Sequence, residues 1–555
     1  MKIFLRWPVL VLGMLLATAL LLPPVPLDAS GLTHRYFPPP AWTLGPIIGS
    51  AKYETDWNAI LDQVESNGYP ITALHFDASH WETCNNNGDP ALSDAFIQRM
   101  RADHLRAVLW IVPLIDLRCA EYHTAANQDY FVRVNGQILV TSTAQGHGSW
   151  IDFNKPGAVA FWHSLLDRAA TKFGDVLGGF YIDDMRPDLS QDPSYADVYA
   201  FDLLKYTRAR IPDGDVVMKR YGHNTPSDNF LRYYAHATYV NDAYSDWTGM
   251  RSKVRNVMNT AKLVPAAFSE FPGYNGPVPT AEIYTRRLHW GAFQVLMEDD
   301  TQRSFFPWNT PALASTLPAY RYYTTLHREL VPYLYSYDEA AYETNTPILR
   351  NSNTLQFSTQ IGQEIFVKYV TASVQSVSFT LPAGQWINYW NESQSWTGPR
   401  TLSLPAPLGH EPVLIRNGAI IPMGVQSATT GHGTAASAGA LTVNVFASGA
   451  SSFRYYDPTG FWSTLSANLN GTALTLCSQP APSQPLIYRV ARWAAAPASV
   501  TTSNGAVGVN VGWGTALPQL ASEGDVDAST GGWFYDSAAQ HLIVKPGTGG
   551  ADCPA

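Results

Sequence analysis

Between residues 45 and 340 the chain alternates short, continuously apolar runs with stretches of helical periodicity. The apolar runs occupy residues 46–51, 72–77, 106–116, 178–184, 216–221, 237–243, 264–270 and 294–299. Strands that are apolar along their whole length are typical of a parallel sheet covered by helices on both faces. Eight strand–helix units therefore predict an α/β fold, a (β/α)₈ TIM barrel, with a doubly wound open sheet as the alternative.

Charged residues follow nearly every one of these runs. In chain order they are Asp77, Asp116, Asp183 with Asp184, Arg220, Asp242, Glu270, and Glu298 to Asp300. In a barrel the carboxyl ends of all strands open at one mouth, where active sites lie. A ring of carboxylates is costly unless a polar ligand or a metal ion uses it, so the pattern favours a functional mouth. The alternative is that the strands simply end in solvated polar residues.

After residue 345 the helical periodicity gives way to alternating strands with Pro and Gly turns, which is typical of antiparallel β-sandwiches. A Thr-, Gly-, Ala- and Ser-rich stretch, 427–440, divides this part in two. The predicted domains are a catalytic barrel at 45–344, a proximal β-sandwich at 345–426 and a distal β-sandwich at 440–555.

The N-terminal residues 1–30 read as a signal peptide or signal anchor. Lys2 and Arg6 precede an apolar run, 9–22, that is short for a membrane span but suits an export signal. We therefore expect a periplasmic or extracellular protein, with membrane contact only through an uncleaved anchor. Export permits disulfides, and the pairs Cys84–Cys119 and Cys477–Cys553 would each stay within one predicted domain.

The charge balance argues against nucleic acid as a partner. The formal net charge is −9 at pH 7, and no basic run stands out. Among the aromatic residues are 17 Trp, which suit stacking on sugar rings and filling of cores alike. The sequence implies no cofactor and no metal site, because no His-x-His or HExxH pattern occurs. Oligomeric state does not follow from it.

Two carboxyl groups at the mouth are the requirement of a glycosidase. In a retaining enzyme one carboxylate attacks the anomeric carbon, and the other protonates the leaving oxygen and later activates water. Alternate barrel strands suit this task, so the carboxylates after the fourth and sixth runs, Asp183 or Asp184 and Asp242, are the candidate catalytic residues.

The residues around both aspartates resemble motifs of glycoside hydrolase family 31. The segment GFYID (179–183) is similar to the family's G-F-x-x-D, which identifies Asp183 as the nucleophile, with Asp184 adjacent. The segment NDAYSDW (241–247) is similar to G-D-N-x-S-x-W, which identifies Asp242 as the general acid and base and includes Trp247. A helix N-cap, the alternative role for a carboxylate here, suits Asp246 or Ser245 better than Asp242.

The resemblance extends in order along residues 45–545. Further similar segments are EIYTRRLHWGAF (282–293), the Pro307–Trp308 pair, PVLIRNGAIIP (412–422) and GWFYD (532–536). It implies a barrel followed by two sandwiches and an oligosaccharide or α-glycoside substrate. The resemblance and the mouth positions together suggest six substrate-binding residues: Asp77, Asp116, Arg232, Trp247, Glu270 and Asp300.

The sequence departs from the family at several positions. The family's R-x-H pair, whose His touches sugar hydroxyls, is replaced by Glu298 and Asp300. The family's D-I-G-G-F becomes EFPGY (270–274). We also expect the chain to lack the N-terminal β-sandwich common in the family, because only residues 31–44 separate signal and barrel.

The function predicted from the sequence is therefore that of a retaining α-glycoside hydrolase of carbohydrate metabolism, α-glucosidase-like in class. Glucosides, xylosides, galactosides and N-acetylgalactosaminides all remain candidate substrates. The alternatives are a transglycosylase using the same residues, a non-catalytic carbohydrate-binding relative, and a metal-dependent hydrolase.

Overall fold

The computed structural model describes residues 38–49, 54–76, 92–143, 146–183, 193–211, 216–220, 235–240, 242–301 and 305–547. The predicted signal segment, 1–30, lies outside these residues. By residue contacts, Arg35–Ala555 forms one unit.

Eight parallel strands form the first sheet, and each coincides with one of the predicted apolar runs. They are β1 Pro46–Gly49, β2 Ala73–Phe76, β3 Arg106–Ile111, β4 Leu177–Ile182, β5 Val216–Arg220, β6 Ala237–Tyr239, β7 Ala267–Phe268 and β8 Met297–Asp299. The sheet order is β7-β6-β5-β4-β3-β2-β1-β8. Because β8 pairs with β1, the sheet curls back on itself, and the Phe271 N–H donates to the Glu298 carbonyl across the remaining gap at 3.0 Å. The predicted TIM barrel is confirmed.

Helices cover the outside of this barrel. They are α1 Glu54–Asn67, α2 Asp94–Ala102, α3 Ala120–Asn127, α4 Pro156–Phe173, α5 Pro193–Arg208, α6 Trp247–Thr260, α7 Ala281–Ala292, α8 Leu317–Glu329 and α9 Val331–Thr344. Local sequence sets their ends: α4 begins on a proline and ends at Gly174, whose φ of +55° suits glycine. All six residues of β4 are buried, as expected for a strand enclosed by helices on one side and the barrel interior on the other.

A glycine in β4 lets the strand approach its neighbour closely. Gly179 has φ of +125°, and a Cβ there would lie 2.0 Å from the Val216 carbonyl oxygen of β5. No other residue fits this position, which lies four residues before Asp183. The glycine of the GFYID segment is thus part of the barrel's construction.

A small antiparallel region is inserted into the barrel after β3. Strands Leu114–Asp116, Val140–Thr143 and Gly146–Trp150 form a three-stranded sheet, and Arg133–Val134 pairs with Gln137–Ile138. The run predicted at 106–116 therefore contains two strands, of which only β3 belongs to the barrel.

The first β-domain after the barrel contains one six-stranded sheet, in the order β9-β10-β11-β14-β12-β13. Its strands are β9 Leu349–Asn353, β10 Ser358–Ile361, β11 Ile365–Lys368, β12 Ser376–Asn388, β13 Asn391–Pro405 and β14 Val413–Arg416. All described pairs of this sheet are antiparallel. The long β12–β13 hairpin covers the apolar cluster around Phe379 and Trp386.

The second β-domain contains a five-stranded and a six-stranded sheet. Its strands are β15 Ile420–Met423, β16 Leu441–Val445, β17 Ala450–Asp457, β18 Phe461–Asn470, β19 Ala473–Gln479, β20 Leu486–Val490, β21 Val500–Ser503, β22 Ala506–Val509, β23 Thr515–Ala516, β24 Gly532–Asp536 and β25 His541–Lys545. By pairing with β16, β15 belongs to this domain, although the predicted boundary at 426 placed it in the proximal one. The stretch 427–440 is anchored by Thr434, whose hydroxyl donates to Asp527 of α10 (Glu523–Ala528) at 2.8 Å.

Both described cysteines are in disulfides. Cys119 lies before α3 and Cys477 in β19, and each is disulfide-bonded. Cys84 and Cys553, their predicted partners, lie outside the described residues. Among the described helices, a search for one long and apolar enough to span a bilayer finds none.

Candidate active site

Asp183 lies directly after β4, at the carboxyl end of the barrel. Its backbone N–H donates to the carbonyl of Ile111 on β3 at 3.1 Å, which continues the sheet hydrogen bonding by one residue. The side chain is only 5% exposed, and Trp110 Nε1 donates to its Oδ2 at 3.3 Å. The indole thus fixes one carboxylate oxygen from the adjacent strand.

Asp242 lies three residues after β6 and is half-buried. The Tyr239 hydroxyl donates to its Oδ1 at 3.2 Å, and Asn275 Nδ2 lies 3.4 Å from its Oδ2. Asn275 belongs to the loop after β7, where its N–H and carbonyl bond to Ala243 and Ser245, both at 2.8 Å. The carboxylate is therefore held by its own strand and by the neighbouring loop.

Glu270 lies beneath this loop and is fully buried. Its Oε1 accepts the N–H groups of Ala243 at 2.8 Å and Tyr274 at 3.1 Å, and its Oε2 accepts from the Ser269 hydroxyl at 2.8 Å. Burial raises the pKa of Glu270, and the nearby Lys253 ammonium opposes this. The structure places this predicted substrate contact against the polypeptide that carries Asp242.

A layer of side chains from β2, β4, β6 and β8 lies across the barrel interior below the mouth. His75 on β2 contacts Tyr181 on β4, with ring centroids 4.6 Å apart, and Tyr181 contacts Tyr239 on β6 at 5.7 Å. On the other side, His75 Nδ1 lies 2.8 Å from Glu298 Oε1 on β8. Alternate strands supply one layer of a barrel core, so this layer ties together the strands that carry Asp183 and Asp242.

Asp300 lies after β8 beside the same histidine. Its Oδ2 is 3.6 Å from His75 Nδ1, and its side chain is almost fully buried. A Cβ on Gly49 at the end of β1 would lie 2.7 Å from Asp300 Cγ, so the glycine provides the space for this carboxylate. His75, Glu298 and Asp300 offer three ligand atoms within 4.8 Å of one another, which is close enough to share a cation.

Sequence reasoning missed His75. Its only signal was a polar residue within an otherwise apolar run, and its partner Glu298 lies 223 residues away in sequence. Glu298 was noted as a carboxylate at the end of a predicted strand and as a departure from the family pattern, but not as a partner of His75.

Asp116 ends the short strand after β3 and is engaged by protein donors. Its Oδ1 accepts from Arg118 N at 2.9 Å and Nε at 2.8 Å, and its Oδ2 from Arg118 Nη2 and His147 N, both at 3.2 Å. Burial alone would raise its pKa, but these hydrogen bonds from Arg118 and His147 hold the pKa of Asp116 below its usual value. The structure shows both oxygens in an ion pair within the loop.

The remaining predicted residues divide into two groups. Trp247 is the first residue of α6, half-buried against the core, and Asp246 is the N-cap of this helix, accepting from Gly249 N at 2.6 Å. The N-cap assignment at Asp246 is therefore confirmed. Asp77 and Arg232 lie outside the described residues.

Two sequence models of one protein family match this chain. Residues 36–337 match the sequence model of the glycosyl hydrolases family 31 TIM-barrel domain, and residues 331–421 match that family's C-terminal domain. The barrel and the first β-domain are thus both accounted for, in the same order along the chain.

Individual relatives are distant. An isomaltosyltransferase from Sporosarcina globispora is 23% identical over 593 aligned positions, which cover 92% of this chain and 52% of the relative. A cycloalternan-forming enzyme from Listeria monocytogenes, solved with a pentasaccharide substrate, superposes with a TM-score of 0.77 at 19% identity, over 93% of this chain and 54% of that one. A dextranase variant from Flavobacterium johnsoniae, complexed with isomaltotriose, gives 0.77 at 18% identity over 92% of this chain and 70% of that one. The chain spans about half the length of the curated relatives it matches.

Proposed function

Because the chain belongs to glycosyl hydrolase family 31, we propose that it is a retaining α-glycosidase in which Asp183 is the nucleophile and Asp242 the general acid and base. The observation that carries the proposal is the placement of these carboxylates at the ends of β4 and β6, alternate strands whose Tyr181 and Tyr239 rings are in contact.

In the first step an Asp183 oxygen attacks the anomeric carbon while the bond to the glycosidic oxygen breaks. The proton of Asp242 passes to that leaving oxygen. The Trp110 indole N–H, bonded to Asp183 Oδ2, orients the attacking carboxylate. The product of this step is a glycosyl ester on Asp183.

In the second step a water oxygen attacks the anomeric carbon and the ester bond breaks. Asp242, now a carboxylate, takes the proton from the water, so that the original configuration is restored. The Tyr239 hydroxyl and the Asn275 amide hold Asp242 in place for both proton transfers.

A transferase is the second candidate, because an isomaltosyltransferase and a cycloalternan-forming enzyme are among the similar proteins. A sugar hydroxyl would then replace water in the second step, with the same proton balance. Incubation with donor and a large excess of acceptor sugar separates the two, since a transferase yields the longer saccharide in place of free sugar.

The proposal is tested on a panel of aryl α-glycosides (gluco, xylo, galacto and N-acetylgalactosamino), with the anomeric form of the first product read by NMR. We expect one member to be cleaved with retention, with activity lost in Asp183→Asn and reduced roughly 10²- to 10⁴-fold in Asp242→Asn. Asp457→Asn, which alters a buried carboxylate of the distant β17, is the matched control. Unchanged activity in Asp183→Asn refutes the assignment of Asp183 as nucleophile. A wild-type chain that cleaves no member of the panel favours a carbohydrate-binding protein.

We also propose that the chain is exported through residues 1–30. The disulfide-bonded state of Cys119 and Cys477 supports this, because disulfides persist in oxidising compartments. Cell fractionation with N-terminal sequencing of the mature chain tests it; a cytosolic chain with an intact N-terminus refutes it.

A further inference from the structure

A cavity of about 290 Å³ lies where the barrel meets both β-domains. We call it the junction cavity. Its walls come from α8, the turn between β12 and β13, the loop at 430–432, and strands β16, β20 and β25. None of the candidate active-site residues lines it, so it is separate from the barrel mouth.

Aromatic side chains form one wall of the junction cavity. Trp390 lies beside Tyr322, with ring centroids 5.6 Å apart. The Tyr322 and Tyr389 hydroxyls are 2.9 Å apart, and the Tyr389 hydroxyl is 2.8 Å from His432 Nε2. Burial lowers the pKa of His432 to about 3, so the imidazole adds no charge. The wall therefore combines ring surfaces with neutral hydrogen-bonding groups.

The charged groups of the junction cavity are already paired. Glu392 and His541 lie 3.0 Å apart and join the two β-domains. Arg489 is 4% exposed, bonds to Glu523 and lies 3.6 Å from Asp527. The charged side chains that line the cavity are thus engaged with one another or with α10.

Two buried polar atoms close to this wall have no hydrogen-bond partner within the part of the chain that the structure describes. They are Arg489 Nε and Glu329 Oε1, and the other Glu329 oxygen accepts from the hydroxyl of Thr430, which lines the cavity. A hydroxyl can accept from a guanidinium and can also donate to a carboxylate, whereas an apolar group can do neither. Binding sites typically combine ring surfaces with a few such polar groups.

We propose that the junction cavity binds a neutral saccharide unit, as a second carbohydrate site apart from the barrel mouth. A sugar offers C–H groups for the ring surfaces of the aromatic wall and hydroxyls for its tyrosine–histidine chain. The proposal does not depend on the roles of Asp183 and Asp242. It would let the enzyme hold one part of a glucan chain while the mouth works on another.

The test uses the full-length chain with Asp183→Asn, so that the probe is not consumed, labelled throughout with 5-fluorotryptophan. Isomaltotriose is the probe. The ¹⁹F resonance of Trp390 is assigned by its loss in Trp390→Phe. Trp396 lies on the same hairpin but does not line the cavity, and it serves as the matched control. Trp110 beside Asp183 reports on the active site.

We expect the Trp390 resonance to shift saturably with isomaltotriose while that of Trp396 stays in place. Ala491 lines the cavity, and Ala491→Phe should fill it, abolishing the Trp390 shift but leaving any Trp110 shift intact. The same substitution in the chain with native Asp183 should retain aryl glycoside turnover, which shows that the fold is preserved. A static Trp390 resonance, whatever Trp110 does, overturns the proposal, and so does a Trp390 shift that survives Ala491→Phe.

Discussion

Removal of the Glu270 carboxylate should damage acid catalysis, although Glu270 is fully buried. In Glu270→Ala the N–H groups of Ala243 and Tyr274 lose the oxygen that they share at 2.8 and 3.1 Å. Each buried donor left without a partner costs about 1–3 kcal/mol, so the two together destabilise the chain by about 2–6 kcal/mol. Ala243 adjoins Asp242, and the loop that positions the acid loses its anchor.

The catalytic effect depends on the leaving group. A positioned general acid contributes roughly 10²- to 10⁴-fold, and we expect Glu270→Ala to lose part of this, roughly 10- to 100-fold, on an alkyl glycoside. A glycosyl fluoride needs little protonation of its leaving group and should lose much less. Glu270→Gln keeps an oxygen acceptor in the same place, so it should retain most activity on both substrates.

The assay compares kcat/KM for the two substrates in each variant. Glu364→Ala is the matched control, since Glu364 accepts from the Tyr333 and Tyr337 hydroxyls at 2.9 and 2.6 Å in the first β-domain. It should lower the free energy of unfolding while leaving the ratio of the two kcat/KM values unchanged. An equal loss on both substrates in Glu270→Ala refutes the positioning role and indicates general destabilisation.

Three further outcomes follow from buried groups. Burial raises the pKa of Asp299 to about 8 against the opposing Tyr320 and Tyr284 hydroxyls, so the folded state holds a proton that the unfolded state releases above about pH 4. Stability should fall by about 1.4 kcal/mol per pH unit between these values, and Asp299→Asn should remove this slope in urea unfolding; an unaltered slope contradicts it. Arg118→Met should lower stability above pH 4, where the lowered pKa of Asp116 stabilises the fold, and leave it unchanged once acid has protonated that carboxyl, which unfolding at both pH values checks. Gly49→Ala should displace Asp300 and raise KM more than it lowers kcat, because its Cβ would lie 2.7 Å from Asp300 Cγ; unchanged kinetics would show that this carboxylate has no part in binding.

The barrel could be predicted from the sequence because its signal is local and repeated. Each of the eight strands coincides with one of the largely apolar runs, and enclosure on both faces favours such a run whatever the rest of the chain does. The boundary between the β-domains was harder to predict. β15 precedes the low-complexity stretch, yet it pairs with β16 beyond that stretch, and strand pairing across a loop leaves no local mark.

Prediction of the site was limited in the same way, because contacts between distant parts of the chain leave no local signal in the sequence. Asp183 and Asp242 could be proposed as catalytic residues because each follows a barrel strand within an ordered series of motifs. Sequence alone could not distinguish carboxylates that face the mouth from those whose oxygens accept hydrogen bonds from the protein itself. Asp116 and Glu270 both end apolar runs, but their oxygens are bonded to Arg118 and His147 in one case and to backbone N–H groups in the other.

Glu298 and Asp300 replace the family's R-x-H pair at the end of β8, and this difference bears on which sugars we expect the mouth to bind. The Arg of the related R-x-H segment is a hydrogen-bond donor, whereas Glu298 and Asp300 present carboxyl groups at the same positions. His75 Nδ1 lies 2.8 Å from Glu298 Oε1 and 3.6 Å from Asp300 Oδ2. We therefore expect a sugar that contacts Asp300 to present hydroxyl or amine hydrogens to it. For this reason we expect the panel to discriminate between sugars that differ at a single hydroxyl or amide.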